Sequence, residues 1–383
     1  MKKRILISVS AVLVICVLLG LLQALVTPKY TDNKEGALVG EYYGEMGDHD
    51  VIFVGDCEVY ESFVPAVLWE RYGISSYVRG SAQQLVWQSY YLLEETLKYE
   101  TPKAVVFNVM ALKYGEPQRE AYNRMTIDGM RWSSSKIGSI NASMTEGESF
   151  VEYLFPILRF HSRITELTSD DFRYAFEAPR VSHSGYLMQT GVVSQTDFSP
   201  GRAELDYEID ENAWKYLDMM RELCAEKGVE LILVKAPTNS WMYWWHDEWE
   251  AQVVDYAERQ GLDYYNFIPL ADEMGIDWST DTYDAGAHLN VFGAEKLTDY
   301  FGRILSEEHG LADRRGESAT AGLWEERLKR YYDERNKENS QKFYYFSCSR
   351  FISWTNLLRF DSNVCYRHFI NGNYYYKFCF LYC

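Results

Sequence analysis

Cations are scarce in this chain of 383 residues: 38 Lys and Arg stand against 56 Asp and Glu, for a formal charge of −18. That balance argues against a nucleic-acid partner, because a phosphate backbone is held by a basic surface. It also disfavours broad contact with anionic headgroups or polyanionic polymers, while leaving room for a local basic groove. Metal-site spacing is missing too. The seven cysteines fall at Cys16, Cys57 and Cys224 and then, close together, at Cys348, Cys365, Cys379 and Cys383, without the paired Cys-x-x-Cys that opens a structural zinc site. No resolving thiol lies near Cys57 in sequence, which weakens a thiol redox reading. His49, His161, His183 and His246 lack a spaced acid or cysteine partner, so they read as structural or surface residues. Nothing in the pattern calls for a metal or an organic cofactor.

Long apolar runs are absent but for one. Residues 5 to 26 form a charge-free, predominantly apolar stretch after Met1-Lys2-Lys3-Arg4, about 33 Å as a helix at 1.5 Å per residue, which spans a bilayer. Basic residues before it and an acidic chain after it predict a single-pass plasma-membrane anchor, 1–28, with the main domain extracytoplasmic. A cleaved signal peptide is the competing reading, but Gln23-Ala24-Leu25-Val26 offers no clean small-x-small site.

Beyond the anchor, strand-like and helix-like periodicities alternate. Strands are predicted at 51–55, 75–79, 103–109, 229–235 and 263–267. Helices are predicted at about 62–72, 82–99, 212–227 and 246–260, with a closing helix from Val291 to Glu307. This alternation argues for a parallel sheet with right-handed crossovers. One stretch breaks it. About 115–210 contains Asp128-Gly129-Met130-Arg131-Trp132, a helical segment near 147–166 and a Gly- and Ser-bearing run from His183 to Gly201, and an insertion of that length usually forms a cap or substrate-binding subdomain. Arg131, Trp132 and Tyr186 are candidates for its inner wall.

Two motifs carry chemistry. Val51-Ile52-Phe53-Val54-Gly55-Asp56-Cys57-Glu58 is an apolar strand ending in Gly-Asp, which puts Cys57 on a tight turn at the strand's carboxyl end, where open α/β sheets place their sites. Asp284-Ala285-Gly286-Ala287-His288-Leu289-Asn290 puts a histidine just before an amphipathic helix, with a carboxylate four residues upstream. Nucleophile, base and orienting acid are thereby all available. Asp281 is an alternative orienting acid. A small buried residue is the competing reading of Cys57.

These residues resemble the SGNH/GDSL hydrolase superfamily, whose first block is a strand followed by Gly-Asp-Ser and whose last is Asp-x-x-His, often continuing Leu-Asn and then Gly. The likeness runs from about Asp50 to Leu311 and is nearest to membrane-anchored, extracytoplasmic SGNH-like proteins of Gram-positive bacteria, with Pro65 and Trp69 following the first block. It implies a three-layer α/β/α domain, 29–312, of flavodoxin-like order. It also implies an esterase or acyltransferase, acetyl being the first candidate group, acting on a cell-envelope polysaccharide or related polymer. A polytopic membrane acyltransferase is an implied partner. Catalytic roles pass to Cys57, His288 and Asp284, and oxyanion donation to Gly80.

Departures from the pattern are equally specific. Cysteine replaces the nucleophilic serine, and one extra residue separates acid from histidine. The Gly-x-Asn-Asp block that donates the second oxyanion hydrogen bond is missing, since Asn108, the only nearby Asn, sits inside the strand. Losing one such donor costs about 100- to 1,000-fold in rate, so a non-catalytic binding or scaffold module is the rival expectation. Around the cleft, Asp56, Ser81, Gln83 and Lys235 join Arg131 as candidate ligand contacts. Gly80-Ser81-Ala82-Gln83-Gln84 is expected to open a helix with its amides over the cleft, with a plain N-cap as the competing reading of Ser81. Lys235 is expected at a strand end facing Cys57, as a thiol-activating or anion-holding cation or simply as a solvated lysine.

The last segments differ in kind. Residues 313–338 read as a charged amphipathic helix with Leu323, Leu328, Tyr331 and Tyr332 in register. From about 339 the chain turns aromatic and cysteine-rich without any steady period. It is either a non-native end or a cysteine-bridged appendage.

Overall fold

Five short segments pair in parallel, the inner strands apolar and buried on both faces and the edge strand 263–266 partly exposed. They are Val51–Gly55 (β1), Ser76–Gly80 (β2), Ala104–Asn108 (β3), Glu230–Lys235 (β4) and Asp263–Asn266 (β5). The computed structural model describes residues 2–195, 208–239, 246–352, 369–370 and 373–374, without the side chains of 246, 338–352 and those last four. Strand order is β2-β1-β3-β4-β5, all parallel. The chain thus leaves β1 in one direction to β2 and returns past it to β3, which opens a crevice at the carboxyl ends of β1 and β3.

In chain order the helices are Lys2–Val26 (α1), Leu38–Glu41 (α2), Cys57–Tyr60 (α3), Pro65–Tyr72 (α4), Val86–Thr96 (α5), Glu120–Ile127 (α6), Ser134–Ser143 (α7), Phe150–Leu154 (α8), Ile157–Phe160 (α9), Ser169–Arg173 (α10), Glu211–Lys227 (α11), His246–Gln260 (α12), Val291–Glu307 (α13) and Ser318–Ile352 (α14). Alternate strand residues face opposite layers. Val51, Phe53, Val106 and Ile232 pack with Leu68 of α4 and Leu297 and Phe301 of α13. Ile52, Val54, Val105 and Leu233 pack with Trp87 of α5, Leu217 of α11 and Val253 of α12. The fold is therefore α/β, with helices on both faces of a five-stranded parallel sheet.

The expected strands agree with the observed ones to within a residue or two. Three helical expectations need correction. The helix expected from 82 begins only at Val86, because 81–85 is a hydrogen-bonded turn with Gln83 at a left-handed φ of 48°. The segment 147–166 is not one helix. It breaks into α8, α9 and a 3-10 turn His161–Thr165, since Pro156 has no N–H to continue the α8 ladder. In α14 the face turned inward carries Trp324 and Tyr331, with Trp324 stacked on Trp69 at 5.4 Å, while Leu323 is exposed. Beyond β3 the insertion is a run of short helices, α6 to α10; the Gly201 end of the expected Gly/Ser run lies outside the described residues.

α1 is long and apolar enough to cross a membrane, with a mean hydropathy of 3.1 over its best window. Residues 337–383 form a separate unit containing the end of α14 and the antiparallel pair Phe369–Ile370 (β6) and Asn373–Tyr374 (β7). Cys365, Cys379 and Cys383 lie outside the described residues, as does the side chain of Cys348.

Candidate active site

Gly55 closes β1 under a steric constraint: a Cβ there would stand 2.5 Å from Val59 Cγ2 and 3.2 Å from Asn108 Cβ. Only glycine lets the chain turn this tightly into α3. Asp56 caps that helix, its carboxylate accepting from the Glu58 N–H at 3.2 Å, and Cys57 is its first residue. No acceptor among the described residues meets the Cys57 N–H, as expected for a first-turn amide.

The histidine arrives from a loop shaped by its own acid. Asp284 Oδ1 accepts from the His288 backbone N–H at 2.8 Å, and Oδ2 lies 2.6 Å from His288 Nδ1. Between them Ala285 and Gly286 sit at φ 63° and 92°, a left-handed pair that is strained for alanine and that absorbs the residue inserted between acid and base. Asn290 then caps α13 and pins the loop by donating to the carbonyls of Gly191 and Thr280 at 2.9 and 2.7 Å. His288 Nε2 lies 3.0 Å from Cys57 Sγ. The structure thus brings Cys57, His288 and Asp284 into one line. Asp281 is excluded as the orienting acid, because its carboxylate is taken by Lys296 at 2.6 Å and the Asp277 N–H at 2.8 Å.

Burial pushes the Cys57 thiol up to about 12, against the pull of His288. Burial thus works against a thiolate, and His288 Nε2 stands where the thiol proton would go. His288 is held well above its ordinary range: burial opposes its charge, but the Cys57 sulfur, the Asp284 hydrogen bond and nearby Glu61 together outweigh burial.

Several expected ligand contacts are spent elsewhere. Lys235 does not face the cleft as a free cation. It is buried, 2.9 and 2.8 Å from the two oxygens of Glu58 and 3.0 Å from the Ala236 carbonyl. Asn108 is fully buried: its amide donates to Glu58 at 2.9 Å and Asp56 at 3.4 Å, and its oxygen accepts from the Ala236 N–H at 3.3 Å. The strand position that made Asn108 doubtful as an oxyanion donor instead makes it the bridge between β3, β4 and α3. Ser81 is neither cap nor cleft residue, its hydroxyl being buried against Gln84 and Thr126. Gly80 ends β2 beside Gly55, under Tyr60. Gln83 is half-buried. Arg131 lies over the Tyr43 ring at 4.2 Å, in the wall of an 890 Å³ cavity beside Thr27–Tyr30 that does not include Cys57. Trp132 is exposed, with Lys136 above it, and Tyr186 is wholly buried against Tyr331. None of these three forms a wall with Cys57.

Sequence reasoning missed two acids. Glu58 neutralises Lys235. Glu61, one turn further on, is buried with its Oε2 3.9 Å from His288 Nδ1, and accepts from Tyr283 at 3.0 and 2.9 Å and from Gln189 at 3.0 Å. Burial raises Glu61 to about 7 despite those contacts, and raises Asp56 likewise to about 7. The available signal was the i, i+3 spacing of Glu58 and Glu61 after the nucleophile. Metal-ligating side chains come together among the described residues at Glu230, Asp263 and His309, at the amino ends of β4 and β5 and so across the sheet from Cys57. There His309 already bonds Glu230 through one ring nitrogen and Tyr265 through the other, each at 2.9 Å.

The chain matches no protein-family model and no curated protein sequence. Its function has to be read from the geometry.

Proposed function

We propose that this protein is an SGNH-like esterase or acyltransferase using a Cys-His-Asp site on an acylated cell-envelope polysaccharide or related polymer, O-acetyl being the first candidate group. The observation that carries this reading is the aligned contact set: Sγ to Nε2 at 3.0 Å and Nδ1 to Asp284 at 2.6 Å. Support also comes from a strand order matching flavodoxin-like sheets and from the site's place at the carboxyl edge beside the switch point. α1 supplies a single-pass anchor, and its flanking charges favour an extracytoplasmic domain.

In the proposed reaction Cys57 Sγ attacks the acyl carbonyl carbon, forming a C–S bond as the thiol proton passes to His288 Nε2. Asp284 holds the ring and stabilises the imidazolium. The oxyanion rests on the Cys57 and Gly80 amides. Collapse breaks the carbonyl C–O bond, and His288 returns its proton to the departing sugar alkoxide. Water or a second hydroxyl, deprotonated by His288, then attacks the thioester and expels the Cys57 sulfur, which regains its proton.

One observation favours a second reading, a binding module that keeps the fold without turnover. With Asn108 committed to Glu58, the site has one fewer oxyanion donor, and burial works against the Cys57 thiolate. A polytopic membrane acyltransferase is the partner proposed for either role.

The two readings separate in an aryl-acetate turnover assay on the full chain in detergent. Wild type should turn over, with Cys57→Ala and His288→Ala each slower by at least about 100-fold. Equal inertness of all three proteins, each able to bind an acetylated glycan, would give the module reading the lead.

A further inference from the structure

α1 does not end in a linker. Residues 22–25 are half-buried and Val26 is fully buried against the domain. The last carbonyls of the helix, which have no partners of their own, are met from both sides: Arg163 donates to Val26 O at 2.6 Å, and Lys29 donates to Thr27 O at 2.7 Å and to Ala24 O. Arg163 is held in turn by Asp171 at 2.9 Å. Around this joint α1 packs against α9, the 161–165 turn and α10.

Position follows from length. The apolar run 5–26 is about 33 Å long, against a hydrocarbon core of about 30 Å, so Val26 stands at the hydrocarbon boundary. Whatever packs on residues 22–26 stands there as well. Those elements and their immediate flanks expose large apolar side chains that the fold leaves uncovered: Phe155 at 47%, Leu158 at 52%, Ile164 at 53%, Phe172 at 61% and Phe176 at 77%. Charge agrees. Residues 150–180 hold five acids and four arginines, so this segment is nearly neutral in a chain of −18 and is only weakly repelled by anionic headgroups.

We infer that the segment from α8 to Phe176 is a bilayer-interface element, inserting Phe155, Leu158, Ile164, Phe172 and Phe176 among the lipids around the carboxyl end of α1 and seating the domain directly on the membrane. The occupant of this apolar face is the lipid leaflet, because the face is continuous with the helix that crosses it. Insertion rests on apolar area rather than on charge. The inference depends on α1 crossing the bilayer and is independent of the chemistry at Cys57.

The test uses the full chain reconstituted in mixed phosphatidylcholine and phosphatidylglycerol vesicles, with benzoylphenylalanine placed singly at Phe172, Phe176, Val254 or Leu13. After irradiation, Phe172 and Phe176 should give lipid adducts at least about tenfold above Val254, which lies on α12, because side chains in the headgroup boundary reach acyl chains. Leu13 should label from within α1. Adducts at Leu13 but not at 172 or 176 overturn the seat, and protein adducts there assign the face to another copy. Absence of adducts at Leu13 removes anchor and seat together. Each replacement adds bulk only at an exposed or lipid-facing position, so folding is preserved.

Discussion

Cys57 stands between two buried acids that sequence alone would treat as equals, and their surroundings differ. On one side Glu58 meets Lys235 within 2.9 Å, inside a cage closed by Asn108. On the other, Glu61 meets only neutral donors, Tyr283 and Gln189, and the edge of the His288 ring. The Glu58 side is a fixed ion pair whose charges cancel. The Glu61 side is adjustable: a carboxyl raised to about 7 beside a histidine raised above its ordinary range. One helical turn thus separates a structural clamp from a group able to exchange a proton with the site.

The largest expected break comes from Lys235→Met, which takes the paired ammonium away from the buried Glu58 carboxylate and should cost about 3–5 kcal/mol in denaturant unfolding. Adding Glu58→Gln should restore most of that loss. If the single variant unfolds like wild type, the clamp is not one.

Next is Asp284→Asn, which keeps the loop's shape but loses the charge that holds the imidazole. Aryl-acetate turnover should fall by about 100-fold or more. The acid limb of the pH–rate profile should also move. Because Asp284 and Glu61 help to raise His288, the wild-type limb should lie above the ordinary His value of about 6.5, and Asp284→Asn should lower it. An unmoved limb would detach Asp284 from the base.

A smaller effect appears in stability against pH. Glu41, Asp56 and Glu61 are each raised to about 7, burial being the first cause in each case. Between about 4.5 and 7 the folded state then binds more protons than the unfolded chain, so stability is greatest at the acid end and falls as pH rises. Melting temperature should accordingly be lower at pH 7.5 than at pH 5.5, and Glu61→Gln should flatten part of that slope. The smallest effect is on turnover itself, where Glu61→Gln keeps the Tyr283 and Gln189 contacts sterically possible and should change the rate only about threefold, within what the loss of a partly charged neighbour 3.9 Å from the ring allows.

Legibility in the sequence followed the range of the interactions. β1, β3 and α13 were readable because apolar period and caps are local, and the meeting of Cys57 with His288 was readable because turn and helix start mark both residues. The extra residue before His288 left Asp284 and Asp281 open, since only a left-handed turn at Ala285 and Gly286 decides between them. The contacts of Lys235 and Asn108 were illegible for a different reason. Their partner, Glu58, is 177 residues from one and 50 from the other in sequence, and no period reports such a pairing. The cap was the least legible, because short helices broken by Pro156 carry little periodicity, and its exposed apolar side chains acquire meaning only beside α1.

The buried foot of α1 changes what cutting that helix away would do to the protein. A protease cutting after Val26 would detach more than a leash. It would withdraw the carbonyls of Ala24 and Val26 that Lys29 and Arg163 hold and uncover the apolar bed of residues 22–26, so the severed domain would carry a sticky scar and an arginine left with Asp171 alone.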